Sequence, residues 1–243
     1  MLYFLIPIFN EEANLELLHK NLMVALPKYQ QKYYVFSDDG SKDNSVKTIQ
    51  HLFANSNFII LGDGINHGPG YAFNTGFEWI LKHSKNEDDK IITLEADNTS
   101  DINILPEMLT ISELGYGLVL ASVYAQGGRF DKTSFLRKFI SSVANLFLRF
   151  FFNIKILTLS SFYRVYSIEI IKKIKEKNAI IINEKGFISM IEILIKSIHL
   201  NATIIEVPMT LYSQKRKGKS KMKLINTMIS YLRFLIKYKI QYP

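Results

Sequence analysis

Phe36-Ser37-Asp38-Asp39-Gly40-Ser41-Lys42-Asp43 decides the fold of this chain. The stretch closes a short apolar run, Tyr33–Phe36, and opens a polar one. Two adjacent carboxylates followed by Gly and Ser stand where a buried strand would end. In an open α/β sheet, ligands bind outside the carboxyl ends of the strands. Neighbouring carboxylates repel each other, so ribose hydroxyls, backbone N–H groups or a cation should offset that cost. The plainer alternative is an Asx-type turn that caps the following helix.

Working outward, Leu2 to Ile8 is a continuous apolar run ended by Asn10, as for a strand buried on both faces. Leu15, Leu18, Leu22 and Leu26 then recur at helical spacing. Ser41 or Asp43 can cap a helix that runs through Phe53. A third strand is expected at Phe58–Leu61, a helix from about Tyr71 to His83, and a fourth strand at Lys90–Leu94. This alternation predicts a parallel, three-layer α/β sheet over residues 1–120. Beyond it, Leu118–Ser122 reads as a strand, Phe135–Phe152 as a helix with Phe135, Phe139, Val143, Phe147 and Phe151 four residues apart, and Ile154–Tyr166 as mixed. Short helices are expected at Ile168–Lys177 and Gly186–Ile198, and a late strand at Thr203–Val207. One domain over residues 1–212, holding an amphipathic helix at 133–153, is therefore expected, followed by a basic loop and amphipathic helix over 213–243.

Composition narrows the function. At 243 residues with 48% hydrophobic content and six Pro, the chain is long and apolar enough for a core. It has no Cys, which removes disulfides and Cys-ligated zinc. No run approaches the ~18 apolar residues of a spanning helix, and no basic leader suggests a signal peptide. The net charge of +8, concentrated around 214–223, points to an anionic partner. Nucleic acid fits poorly, because the basic run lacks interleaved aromatics and no nucleic-acid motif is present.

Three strand ends carry polar clusters: Pro7-Ile8-Phe9-Asn10-Glu11-Glu12, Asp38-Asp39-Gly40-Ser41 and Glu95-Ala96-Asp97-Asn98-Thr99-Ser100. A parallel sheet would bring them to one rim. Carboxylates at i and i+2 on such a turn can together meet a hard divalent cation, which keeps positions for phosphate oxygens. Further along stand Asn66-His67-Gly68-Pro69-Gly70-Tyr71-Ala72, Gly127-Gly128, Ser160-Ser161-Phe162-Tyr163-Arg164, Gly186-Phe187 with Glu192, Glu206-Val207-Pro208 and Gly218-Lys219-Ser220-Lys221. In this order and spacing the chain resembles family-2 glycosyltransferases of the GT-A fold, of the dolichol-phosphate mannosyltransferase and polyprenyl-phosphate glucosyltransferase type.

The resemblance implies a GT-A three-layer α/β/α sandwich with a Rossmann-like, mainly parallel sheet. It implies a metal-dependent enzyme that moves a hexose from a nucleotide-diphosphate sugar, of the GDP-mannose or UDP-glucose type, to a polyprenyl phosphate with inversion. Pro7, Phe9, Glu11, Ser37, Asp39, Gly68, Ala72, Glu95, Ala96 and Asp97 would bind the nucleotide sugar. Glu95, Asp97 and Thr99 would hold Mg²⁺ or Mn²⁺. Arg164, Lys215, Ser220 and Lys221 would take the acceptor phosphate, and Asp97, Arg164, Lys215 and Lys221 would carry catalysis. A phosphate acceptor is already ionised and needs no strong base. A sugar hydroxyl would need one, with Glu192 or Asp101 as candidates. The chain departs from the family where Glu95 replaces an Asp, Val123 an Arg, and Lys215, beside Arg216, another Arg. The aromatic helix and the basic tail suit the cytoplasmic face of a membrane. The same helices could instead cover the core or meet a second copy in a homo-oligomer. Two other readings remain: a cell-surface polysaccharide or lipopolysaccharide acceptor, and a non-catalytic scaffold.

Overall fold

The computed structural model describes residues 1–26, 31–133, 135–218, 230–231 and 233–237. Seven strands form the main sheet: β1 (Leu2–Ile8), β2 (Lys32–Asp38), β3 (Phe58–Leu61), β4 (Lys90–Thr93), β5 (Leu118–Ser122), β7 (Arg164–Ser167) and β8 (Ile204–Pro208). Their order is β3-β2-β1-β4-β7-β5-β8. All pairings are parallel except those of β7, which runs antiparallel between β4 and β5. The parallel pairs need crossovers, and the helices α1 (Glu12–Ala25), α2 (Ser45–Leu52), α3 (Pro69–His83), α4 (Leu105–Glu113), α6 (Ile168–Lys177) and α7 (Ser189–His199) pack around the sheet. Two short strands, β6 (Arg129–Asp131) and β9 (Thr210–Tyr212), form a separate parallel pair.

β1 is buried nearly throughout because its two faces feed two cores. Leu5 joins Phe73, Phe77 and Tyr166 on one side, while Phe4, Ile6 and Ile8 join Leu15, Leu18 and Leu22 of α1 on the other. The expected leucine stripe of α1 is therefore its packing face. α6 spans Ile168–Lys177 and the aromatic helix α5 spans Phe135–Phe152, both as the sequence predicts. The mixed stretch before Ile168 holds β7, which the sequence did not announce. Its inserted position makes the sheet mixed rather than wholly parallel. α5 lays Leu148 into the core and leaves Phe135, Phe139, Phe147 and Phe150 exposed. Of the tail, Phe234 and Leu235 are buried, with Phe234 beside the Phe152 ring. The rest of the expected C-terminal helix lies largely outside the described residues.

Candidate functional site

At the carboxyl ends of β1 and β2, the two carboxylates of the opening motif divide two tasks. Asp38 accepts the Ser41 amide at 3.2–3.3 Å and so forms the Asx turn. Asp39, whose own amide donates to Ile8 O at 2.8 Å, faces the cleft. Asp38 thus makes the turn, and Asp39 lines the cleft. Gly40 makes the turn possible: its φ is +76°, and a Cβ there would lie 2.7 Å from the Ile65 carbonyl carbon. Asp39 accepts the amides of His67 at 2.7 Å and Gly68 at 2.9 and 3.0 Å. Burial pushes its carboxyl up, and those two amide bonds pull against the shift.

The first two loops are tied side by side. Ser41 Oγ accepts the Asn10 amide, Asn10 Oδ1 accepts the Lys42 amide, and Ser45 Oγ accepts the Glu11 amide. The N-cap of α2 is Asn44, without a side-chain capping bond, rather than Ser41 or Asp43; Asp43 stands one residue earlier and accepts the amide and hydroxyl of Ser45.

β4 leads to the acidic cluster. Glu95 is partly buried and accepts Ser100 Oγ at 2.9 Å. Burial, then the neighbouring Asp97, push its carboxyl up to about 7. Asp97 Oδ1 accepts both the amide (3.0 Å) and the hydroxyl (2.7 Å) of Thr99. Its Oδ2 accepts Arg216 Nε at 2.7 Å and the same guanidinium's Nη2. Thr99 thus orients Asp97.

Arg216 reaches the cluster because a clasp holds its segment in place. Asn14 on α1, buried at 3% exposure, donates Nδ2 to Lys217 O at 3.1 Å and accepts the Lys217 amide at 2.9 Å. The Tyr212 amide also donates to Thr99 O at 2.8 Å. Arg216 and Lys217 of the basic segment thereby line a cleft of about 530 Å³.

Pro7, Phe9, Glu11, Asp39, Gly68, Glu95, Ala96, Asp97 and Thr99 all line that cleft. Four other expected residues do not. Ser37 is buried within β2, paired beside Pro7 and Leu61. Ala72 is buried inside the first turns of α3. Lys215 is exposed and lies over the Tyr212 ring, 4.0 Å from its centroid. Arg164 is fully buried in β7, where its guanidinium donates to the carbonyls of Leu159 (2.7 Å), Ser161 (2.7 Å) and Met190 (2.9 Å) and to the Tyr166 hydroxyl (3.2 Å). Four of its five N–H donors are spent on protein acceptors and it is not among the cleft-lining residues, so Arg164 shapes the 159–163 loop, which presents Ser160 and Phe162 to the cleft. Ser220 and Lys221 lie outside the described residues.

Sequence reasoning counted Arg216 only as general positive charge, and it missed Asn14 altogether. An Asn among leucines on a helix's buried stripe is the signal that could have found Asn14. Neither candidate base lines the cleft. Glu192 accepts the amides of Asn183 and Glu184 and pairs with Lys196. Asp101 accepts the Asn103 amide and side chain.

The donors at the acidic end are oxygen-rich, which suits Mg²⁺ or Mn²⁺. Among the described residues no group of three or more His, Cys, Asp or Glu converges on a metal position. Glu95 and Asp97 are the two carboxylates at that end of the cleft that could help to hold such a cation.

The family model for glycosyl transferase family 2 matches residues 3–175. The polyprenol monophosphomannose synthase of Mycolicibacterium smegmatis is 27% identical over 220 residues, covering 90% of this chain and 79% of that one. The undecaprenyl-phosphate 4-deoxy-4-formamido-L-arabinose transferase of Shewanella sediminis is 29% identical over 233 residues, covering 93% of this chain and 64% of its own length. In fold, the chain is similar to glucosyl-3-phosphoglycerate synthase from Mycobacterium tuberculosis, solved with Mn²⁺, UDP and glucosyl-3-phosphoglycerate. That match has a TM-score of 0.64 at 14% identity and covers 95% of this chain and 75% of that chain.

Proposed function

The chain belongs to glycosyl transferase family 2, and on that basis we propose that it moves a hexose from a nucleotide-diphosphate sugar to a polyprenyl phosphate, with inversion, at the surface of a membrane. The observation that carries the acceptor is that neither candidate base lines the cleft. Glu192 spends both oxygens on the Asn183 and Glu184 amides and on Lys196, and neither it nor Asp101, whose Oδ1 accepts the Asn103 amide, is among the residues lining the cleft. An acceptor hydroxyl would have to lose a proton to such a group, whereas a phosphate is ionised before it arrives. The relatives named as polyprenol-phosphate and undecaprenyl-phosphate transferases support the same choice.

Asp39 is the group for the base or ribose, with Pro7 and Phe9 as apolar walls. The free lone pairs of its carboxylate accept ligand N–H or O–H. Glu95 and Asp97 hold the cation, and Thr99 fixes the orientation of Asp97. A bound Mg²⁺ or Mn²⁺ supplies positive charge to the departing nucleoside diphosphate. Arg216 stands beside Asp97 and adds a second cation at the phosphate end of the cleft. Phe162 and Phe187, stacked with centroids 5.6 Å apart, line the cleft and add to its apolar wall. Catalysis here is positioning and charge stabilisation.

No helix among the described residues is long and apolar enough to cross a membrane. α5 supplies the surface contact instead, with Phe135 83% and Phe150 87% exposed. An aromatic, basic, amphipathic helix of this kind lies in the headgroup region, here on the cytoplasmic face.

The test is incubation with labelled UDP- and GDP-hexoses, a polyprenyl phosphate in vesicles, and Mn²⁺ or Mg²⁺. Label extracted into organic solvent, and lost in Asp97→Ala, is the expected result. Label appearing only on a water-soluble glycan, or no turnover with any donor, would overturn the proposal.

A further inference from the structure

We propose that Glu192, which does not line the cleft, is a positioning residue for the donor nucleotide. The inference rests on the reading of Asp39 as the nucleotide's carboxylate. Glu192 stands in the first turn of α7 and is 5% exposed. Its Oε1 accepts the Asn183 amide (3.0 Å) and Asn183 Nδ2 (3.0 Å), and pairs with Lys196 Nζ (2.7 Å). Its Oε2 accepts the amides of Asn183 (3.0 Å) and Glu184 (2.8 Å). The peptides of 183 and 184 belong to no helix or strand, so this carboxylate takes the place of a ladder.

Held by their N–H groups, these peptides turn carbonyls toward the Gly68–Gly70 turn. Lys185 O accepts the Gly70 amide at 2.7 Å. The approach is close enough to require glycine twice. A Cβ on Gly68 would stand 2.5 Å from Lys185 O, and one on Gly70 1.8 Å from Glu184 O. The opposite side of that turn presents the His67 and Gly68 amides to Asp39. A continuous line thus runs from Glu192 through residues 183–185 and the glycine turn to the carboxylate in the cleft. Lys196 steadies the near end by donating to Ile180 O and Ile181 O. Without the acceptors of Glu192, the 183–185 carbonyls would lose their aim. The two amides that fix Asp39 would then shift with the turn.

Glu192→Gln keeps the shape and replaces one acceptor by a donor facing N–H groups. The expected result is a rise of about tenfold in the Kd for free UDP or GDP and in donor KM, the scale of one buried donor left unpaired. The polyprenyl-phosphate KM, kcat and the pH profile of kcat should stay unchanged. Glu192→Asp, which keeps the charge, should recover part of the affinity, and it serves as the working variant if the Gln form does not fold. Hydrogen exchange at the His67 and Gly68 amides, read on the nucleotide-free protein, should quicken together with exchange at 183–184. That arm decides the positional link even if the wild-type protein binds neither nucleotide, an outcome that would count against the nucleotide reading of Asp39. Unchanged nucleotide affinity and unchanged exchange at 67–68 alongside a lower melting temperature would overturn the inference. So would a loss confined to kcat with an altered pH profile.

Discussion

Replacing Arg164 by Met separates a scaffold role from a ligand role for that guanidinium. Met refills much of the stem volume but supplies no donor. The carbonyls of Leu159, Ser161 and Met190 and the Tyr166 hydroxyl would each lose one. The bonds to Leu159 and Met190 are fully buried, so no water takes their place. Each buried acceptor stripped of its partner costs about 1–3 kcal/mol. Removing a buried cation that has no carboxylate beside it relieves a desolvation penalty and offsets part of that cost. A net loss of about 2–4 kcal/mol follows, which for a domain of this size lowers Tm by roughly 5–15 °C. Thermal and urea unfolding followed by circular dichroism measure it. Nucleotide and polyprenyl-phosphate affinities are then read well below the new Tm. A phosphate ligand on the cleft wall would behave in the opposite way, with the melt unmoved and the acceptor KM raised. A Tm within about 1 °C of wild type, together with lost acceptor affinity, would refute the buried assignment.

Gly70→Ala puts a methyl group 1.8 Å from Glu184 O and should cost at least about 2 kcal/mol, because backbone must move to admit it; an unchanged urea midpoint would contradict the packing. Glu95 has a folded-state carboxyl raised from 4.5 to about 7, so its penalty is absent below pH 4.5, grows as pH rises between those values and is complete above the upper one. Glu95→Gln should therefore stabilise the cation-free protein at pH 8 by on the order of 1–3 kcal/mol and change little at pH 4.5, while weakening Mn²⁺ binding; equal urea midpoints for the two proteins at pH 8 would count against the raised carboxyl. Phe147→Glu with Phe150→Glu, both on the exposed face of α5, should reduce co-sedimentation with anionic vesicles at least tenfold and leave nucleotide binding intact; undiminished sedimentation would remove α5 from the membrane contact.

What the sequence shows and what it hides follow from distance along the chain. β1 and β2 are legible because both faces are buried and Asn, Asp or Gly punctuates their ends. α6 is legible to the residue because its apolar stripe, its Ser167 cap and its closing Lys177 agree. β7 is hidden because a four-residue strand that begins with Arg reads as a polar break. Only its partners on both sides, and four acceptors for the guanidinium, make that Arg tolerable inside a sheet. The rim residues Asp39, Glu95 and Asp97 could be placed because they follow the ends of two strands, β2 and β4. Arg216 could not be paired with Asp97, since the contact spans 119 positions and depends on an Asn14 clasp that spans 203. Ser37 and Ala72 came from resemblance alone, and each lies a step too deep to touch the cleft.

The inserted strand also sets a timetable for synthesis. Thr93 pairs with Arg164, so the free side of β4 has no neighbour until 71 more residues (164 minus 93) have been made. At about 5–20 residues per second, a ribosome takes several seconds to deliver them. Throughout that interval a nascent chain shows bare N–H and C=O groups along one margin of a half-built sheet, the kind of margin that recruits stray strands. A break between residues 123 and 163 would leave β4 and β5 in one fragment and the strand that joins them in the other. The two pieces would have to find each other before either could close its sheet.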